Sequence, residues 1–372
     1  MSKPNVRERI KELFDASKIK EARKEFGKAI IGQEEIFNFL LTAILVNGHV
    51  MSDGNPGTAK TRSILTLGRT TGIEVTKVQL TGDMTPDQIK GFEMPVPVIS
   101  VGDVSSKLRQ TKEKIAELAQ SDTCLTAETV MQTIVREGPL VGAQLFLCDE
   151  ANRGNEETTN SFLSVMQEGY FRVGDKIFNV HDLFTLMATR NFIEIAGIRP
   201  LGYAFMDRFI FSTLAEYPET EEDECKIIAQ PRELESIDVQ RVYQPEDFIS
   251  PRIFARRNAF IRANDPIAQY IARLVRATRP GPNNRFIGRI EKKIGKKVSC
   301  GASTRTSQLF AQAAAVYVYC VLGEDIILPE HIQYLAKPCL RHHLKLENAM
   351  EQESMISANR YIEELVKMVP IR

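Results

Sequence analysis

Gly54, Asn55, Pro56, Gly57, Thr58, Ala59, Lys60 and Thr61 follow one another as "GNPGTAKT". The run approaches G-x-x-x-x-G-K-[ST], the loop whose backbone N–H groups cradle phosphate. In that loop the lysine reaches the β- and γ-phosphates and the hydroxyl meets Mg²⁺. Gly54 opens the pattern and Lys60-Thr61 closes it, but Ala59 stands in the second glycine position. Alanine is permissible there if its dihedrals are those of the helix that begins at Lys60. Alone, the stretch fits either a nucleotide loop or a flexible turn that ends in lysine.

A second group lies downstream. "QLFLCDE" reads as a buried strand with Asp149 and Glu150 at its C-terminal end, the edge at which open α/β sheets bind ligands. Asp149 can hold a hydrated Mg²⁺ and Glu150 can orient or deprotonate a water. "MATRN" ends another buried strand in Asn191, whose amide could position that water or simply cap a turn. "FMDRF" sets Arg208 just before a strand, as a finger for a neighbouring site or as a salt-bridged structural residue. "GASTRTSQLF" puts Arg305 in the first turn of a helix, where the dipole disfavours a cation unless an anion is near; a γ-phosphate is one candidate.

Strands alternating with helices must position these groups. A short strand near His49–Ser52 enters the glycine loop and a helix leaves it; "EVTKVQL", "LFTLMATRN" and "RFIFSTL" supply further strands. Asn155 is a plausible N-cap and Gly169 a stop for the helix between them, and "YFRVGDKIFNV" is a hairpin about "GD". This alternation implies a parallel α/β sheet covered on both faces. From about Pro218 the strands fade into helices. The expected division is a helical arm over 1–27, an α/β domain over 28–217 and a helical domain over 218–372. Two segments look inserted. Residues 92–137 are expected to hold two helices, "SSKLRQTKEKIAELAQ" and "TAETVMQTIVRE"; 280–298 is basic, with six cations against Glu291 over Arg285–Lys297.

The bulk properties exclude several classes. The 372 residues suffice for two or three domains, and 48 basic residues balance 48 acidic ones, so no global charge favours nucleic acid or membrane. The longest apolar runs, such as "FNFLLTAILV", reach about half of a membrane span. The charged opening reads as helix, without the apolar core of a secretory signal, so a cytoplasmic location is expected. The six cysteines are scattered, which fits a reducing compartment rather than a zinc or redox pair. His342 and His343, as helix neighbours, point apart and read as a helix end rather than a ligand pair.

Taken together, the motifs resemble those of the MoxR family of AAA+ ATPases. The family's G-x-P-G-x-A-K-T makes Ala59 the family's own residue. "IIGQEE" (30–35), "KVQLTGDMTPDQIKG" (77–91), "LCDEANR" (147–153), "SFLSVMQEGYFRVGD", "ATRNF" and "GASTRT" match further family runs over about 28–346. The resemblance implies an AAA+ P-loop NTPase domain, a parallel sheet covered by helices, followed by an all-helical lid. It implies ATP and Mg²⁺ as ligands, Lys60 and Thr61 as Walker A, and Asp149 and Glu150 as Walker B. It makes Asn191 sensor 1, Arg208 the arginine finger and Arg305 sensor 2, with Thr61 and Asp149 toward the metal. Lys60, Asp149, Asn191 and Arg305 are expected to converge on one triphosphate. Tyr203 replaces the family's acid near Arg208. A homo-hexameric ring, remodelling of a client protein and a von Willebrand factor A domain partner are further implications. The basic segment Arg285–Lys297, with Phe286 as a stacking residue, leaves nucleic-acid handling as the alternative.

Overall fold

The computed structural model describes residues 6–100, 128–192, 199–281, 284–347 and 351–371. Its centre is a five-stranded sheet of β1 (Val50–Gly54), β2 (Val75–Gln79), β5 (Leu145–Asp149), β8 (Thr185–Asn191) and β9 (Phe211–Ala215), ordered β2-β5-β8-β1-β9. All four pairings are parallel. Side chains alternate across the sheet, as the pleat requires. Leu145 and Leu147 enter one core while Phe146 and Cys148 enter the other.

Strand register brings the chemistry to one edge. Gly54 pairs with Asn191 on one side and with Ala215 on the other, while Asp149 pairs with Gln79. The ends of β8, β1 and β9 therefore finish level, and those of β2 and β5 finish level with each other about two residues short of them, at the carboxyl edge where the strand–helix turns open a crevice. Helix Lys60–Thr71 leaves the loop there, and helix Glu156–Glu168 follows β5, capped by Asn155 and ended by left-handed Gly169.

The helices after residue 218 share a continuous apolar cluster with helix Glu34–Leu45 and one face of the sheet. Two buried arginines pin the halves together. Arg252 donates to Ile44 O at 2.7 Å and Thr185 Oγ1 at 2.8 Å, and Arg341 Nε donates to Ser212 O at 2.7 Å. The N-terminal segment is two helices, Val6–Leu13 and Ile19–Gly27, around a short turn at Ala16–Lys18 that Asp15 caps. It packs closely, with Ile10, Phe14 and Phe26 buried in the same cluster.

One expected helix is a strand. "TAETVMQTIVRE" forms β4 (Glu128–Glu137), antiparallel to β3 (Gly91–Ser100), with Gly91 opposite Glu137. Its Thr129, Val130, Thr133, Ile134 and Val135 are β-branched, which favours the pleat once a partner strand is available. The other expected helix, 105–120, lies outside the described residues. "YFRVGDKIFNV" is the expected hairpin of β6 (Tyr170–Val173) and β7 (Lys176–Asn179). The basic segment holds helix Ile287–Ile294, with Ile287 and Ile290 buried. Two of its lysines are ion-paired, Lys293 to Glu364 at 2.5 Å and Lys296 to Glu353 at 2.8 Å.

Candidate active site

The loop from Gly54 to Lys60 has a conformation that only particular residues accept. Gly54 has φ +151, and a Cβ there would meet Ala215 O at 2.3 Å. Gly57 has φ +81 with open space beyond it, so backbone conformation rather than crowding calls for glycine. Ala59 departs from the expected helical dihedrals: it is left-handed, φ 60 and ψ 18. The chain is left-handed at this one residue immediately before the helix starts at Lys60. Alanine does this at a steric cost that glycine would not carry.

Lys60 is 7 % exposed and donates to Gly54 O at 2.8 Å and Asn55 O at 2.6 Å. Burial lowers its ammonium to about 8, against the opposing pull of Asp53, Asp149 and Glu150. Thr61 Oγ1 donates to Asp149 Oδ1 at 2.9 Å, and Thr189 Oγ1 donates to the same oxygen at 2.6 Å. Lys77 closes on Asp149 Oδ2 at 2.9 Å. Burial would raise the Asp149 carboxyl, but donors from Lys77, Thr189 and Thr61 outweigh it and hold it below the ordinary carboxylate range.

Glu150 follows in the left-handed region, φ 53, which turns its side chain away from the strand path. Its carboxylate accepts from Gln79 Nε2 at 2.8 Å and Asn191 Nδ2 at 3.2 Å and is ion-paired with Arg153 at 3.0 Å. The Asn191 Oδ1 is buried without a partner. Such an orphaned acceptor suits a water or hydroxyl donor brought by a substrate.

Pro56, Gly57, Thr58, Ala59, Lys60 and Thr61 line a cleft of about 470 Å³ together with Asp149, Glu150 and Asn191. Ala29, Ile30, Tyr217 and Ile227 add apolar and aromatic lining. One cavity thus joins an anion cradle, hard oxygen donors and an apolar wall, and its size suits a nucleotide. The Thr61 hydroxyl beside the Asp149 carboxylate is a donor set that fits Mg²⁺.

Arg305 departs from the expected convergence. It does not line this cleft; it lies with Arg208 in a separate cavity of about 220 Å³. The anion that offsets its place at a helix start is Asp207, 3.5 Å away. Asp207 also accepts from Thr306 Oγ1 at 3.4 Å and faces His343 Nδ1 at 3.3 Å, which ties the start of helix Thr304–Val316 to the segment before β9. Tyr203, where the family has an acid, donates instead to Gly301 O at 2.6 Å. His342 and His343 are buried in a short turn, and burial lowers both imidazoles. Among the described residues no cluster of His, Cys, Asp and Glu suits a metal, and no helix is long and apolar enough to cross a membrane.

The sequence motifs left Lys77, Gln79, Thr189 and Arg153 without individual roles. The signal was present in part. Lys77 and Gln79 are two apart on β2, so they share a face, and they sit beside the acidic pair once β2 and β5 are in register.

Comparison with known proteins agrees with this architecture. The profile described as "ATPase family associated with various cellular activities (AAA)" matches residues 117–211. "Chaperone MoxR1" of Mycobacterium tuberculosis is 30% identical over 322 residues, 87% of this chain and 74% of that protein. YeaC of Bacillus subtilis is 27% identical over 350 residues, 94% of this chain and 93% of that protein. A crystal structure from Cytophaga hutchinsonii, assigned as an ATPase, superposes with a TM-score of 0.71 at 26% identity and covers 95% of each chain. The left-handed cradle, the Thr61–Asp149 bond and the likeness over most of the length lead to one conclusion: the chain belongs to the MoxR family of AAA ATPases.

Proposed function

We propose that this chain hydrolyses ATP within a ring of its own copies and uses the energy to remodel a client protein. The observation that carries the reading is the shared cleft of Lys60, Thr61, Asp149, Glu150 and Asn191. The loop N–H groups and the Lys60 ammonium bind the phosphates, and the apolar and aromatic lining at Tyr217 and Ile227 accepts the base. Thr61 and Asp149 would hold Mg²⁺, which when bound supplies charge neutralisation at the phosphate oxygens. Glu150 takes the proton of the attacking water while Asn191 orients both.

Arg208 and Arg305 share one cavity outside this cleft, so they are better suited to a neighbour's nucleotide than to their own. That favours an assembly in which each site is completed across an interface; the hexamer is the form that the family resemblance implies. Client remodelling, with a von Willebrand factor A domain partner, rests on the likeness to MoxR1, itself described as a chaperone. Nucleic-acid handling through Arg285–Lys297 has less support, because Lys293 and Lys296 are already ion-paired. A salt-dependent shift of labelled single-stranded DNA, lost on changing those lysines to glutamine, would favour it.

The test is phosphate release by Glu150→Gln beside the parent. The expected fall is about a hundredfold or more with nucleotide binding retained; equal rates would remove Glu150 from the mechanism. The same variant, held in ATP, should retain clients for identification.

A further inference from the structure

Gln167 stands one residue before the end of helix Glu156–Glu168 and outside the lining of the nucleotide cleft. Its side-chain oxygen accepts from Arg208 Nη2 at 2.9 Å and from Arg305 Nη2 at 3.3 Å. The two guanidinium groups come from different elements, one just before β9 and one at the start of helix Thr304–Val316. They meet on a single neutral acceptor. Arg208 is further fixed by donation from Nη1 to Ala204 O at 2.5 Å.

Such a meeting is electrostatically incomplete. Burial first, and then the charge of Arg305, lower the Arg208 guanidinium. Arg256 also lines this cavity, and no carboxylate does. Asp207 approaches Arg305 at 3.5 Å from outside this lining, so within the cavity itself three guanidinium groups meet no carboxylate. A carboxylate at position 167 would hold the arginines but reduce the charge that attracts an anion. An amide holds them and leaves that charge intact.

We propose that Gln167 is a positioning residue that sets Arg208 and Arg305 side by side as a ready-made receptor for the terminal phosphate of a nucleotide bound to the neighbouring copy. This rests on the shared-site reading given above. Both arginines are long side chains with many rotamers, and pre-arrangement removes that search from the step in which the phosphoryl group moves. The effect is exerted on the neighbour's reaction, not on the chain's own cleft.

Gln167 is exposed, so its replacement does not threaten the fold. In Gln167→Ala, kcat is expected to fall about tenfold with KM for ATP unchanged, because the arginines remain and what is lost is their pre-arrangement in the step in which the phosphoryl group moves. Gln167→Leu, of similar volume, should behave alike; parental kcat in either variant would overturn the proposal. The decisive measurement mixes equal amounts of full-length Gln167→Ala and Glu150→Gln before ATP is added. About a quarter of sites should then combine an intact Glu150 with a neighbour's intact Gln167, lifting the rate above the mean of the two variants alone. A purely local role for Gln167 gives no such lift. Arg208→Ala mixed with Glu150→Gln runs beside it. If that pair recovers and the Gln167 pair does not, the role of Gln167 falls and the shared site stands. If neither recovers, the shared site falls and the proposal with it.

Discussion

Thr61 Oγ1 donates to Asp149 Oδ1 across 2.9 Å, joining positions 88 residues apart in the chain. This bond places a hydroxyl and a carboxylate as one oxygen pair in the lining of the cleft. Thr61→Val keeps the shape and removes the oxygen. The affinity for a fluorescent ATP analogue with Mg²⁺ should fall about tenfold, while affinity in excess EDTA stays unchanged. Equal losses under both conditions would separate Thr61 from the metal.

Lys60 links nucleotide binding to pH. Burial brings its ammonium to about 8, so the free protein carries that proton below pH 8 and loses it above. Phosphate favours the charged form, so binding raises the pKa and takes up a proton. Calorimetry in buffers of different ionisation enthalpy should record an uptake of about 0.9 proton at pH 9 and about 0.1 at pH 7. Affinity should fall as pH rises above 8. The same uptake at both values would contradict the buried-lysine account.

Ala59 holds a left-handed conformation with a side chain that resists it. Ala59→Gly removes a steric cost of about 1–2 kcal/mol but adds about 0.5–1 kcal/mol of unfolded-state freedom. The net expectation is about 0.5–1 kcal/mol of added stability, read as a higher urea midpoint at unchanged slope. A lower midpoint would mean that the alanine methyl contributes packing that outweighs its strain.

Gln79 and Asn191 donate to the Glu150 carboxylate and Arg153 is ion-paired with it, which competes with its work on water. Gln79→Ala removes one competitor. Basal phosphate release should rise about two- to fivefold, a modest change because two donors remain. A fall of that size would show instead that Gln79 holds Glu150 in its working position.

The phosphate loop, the acidic pair and Asn191 were legible in the sequence because each depends on local chemistry. Glycines mark a tight turn, an unbroken apolar run marks a buried parallel strand, and polar residues at its end mark the ligand edge. Lys77 and Gln79 were less so, because their relevance depends on β2 lying beside β5, a pairing 70 residues apart. The segment 128–137 reads as helix in sequence but is a strand, since its partner strand, not its own pattern, decides between the two states.

By itself the sequence determined the family's motifs and the parallel sheet that carries them. Tertiary structure alone decided which cavity each arginine lines. Arg305 follows the packing of helix Thr304–Val316 against Asp207, and that packing sets it beside Arg208 and Gln167 rather than beside Lys60. Motif spacing fixes what a residue can bond to within a few turns of chain. Where a helix start lands across the molecule depends on burying apolar surface, which no short run of residues encodes.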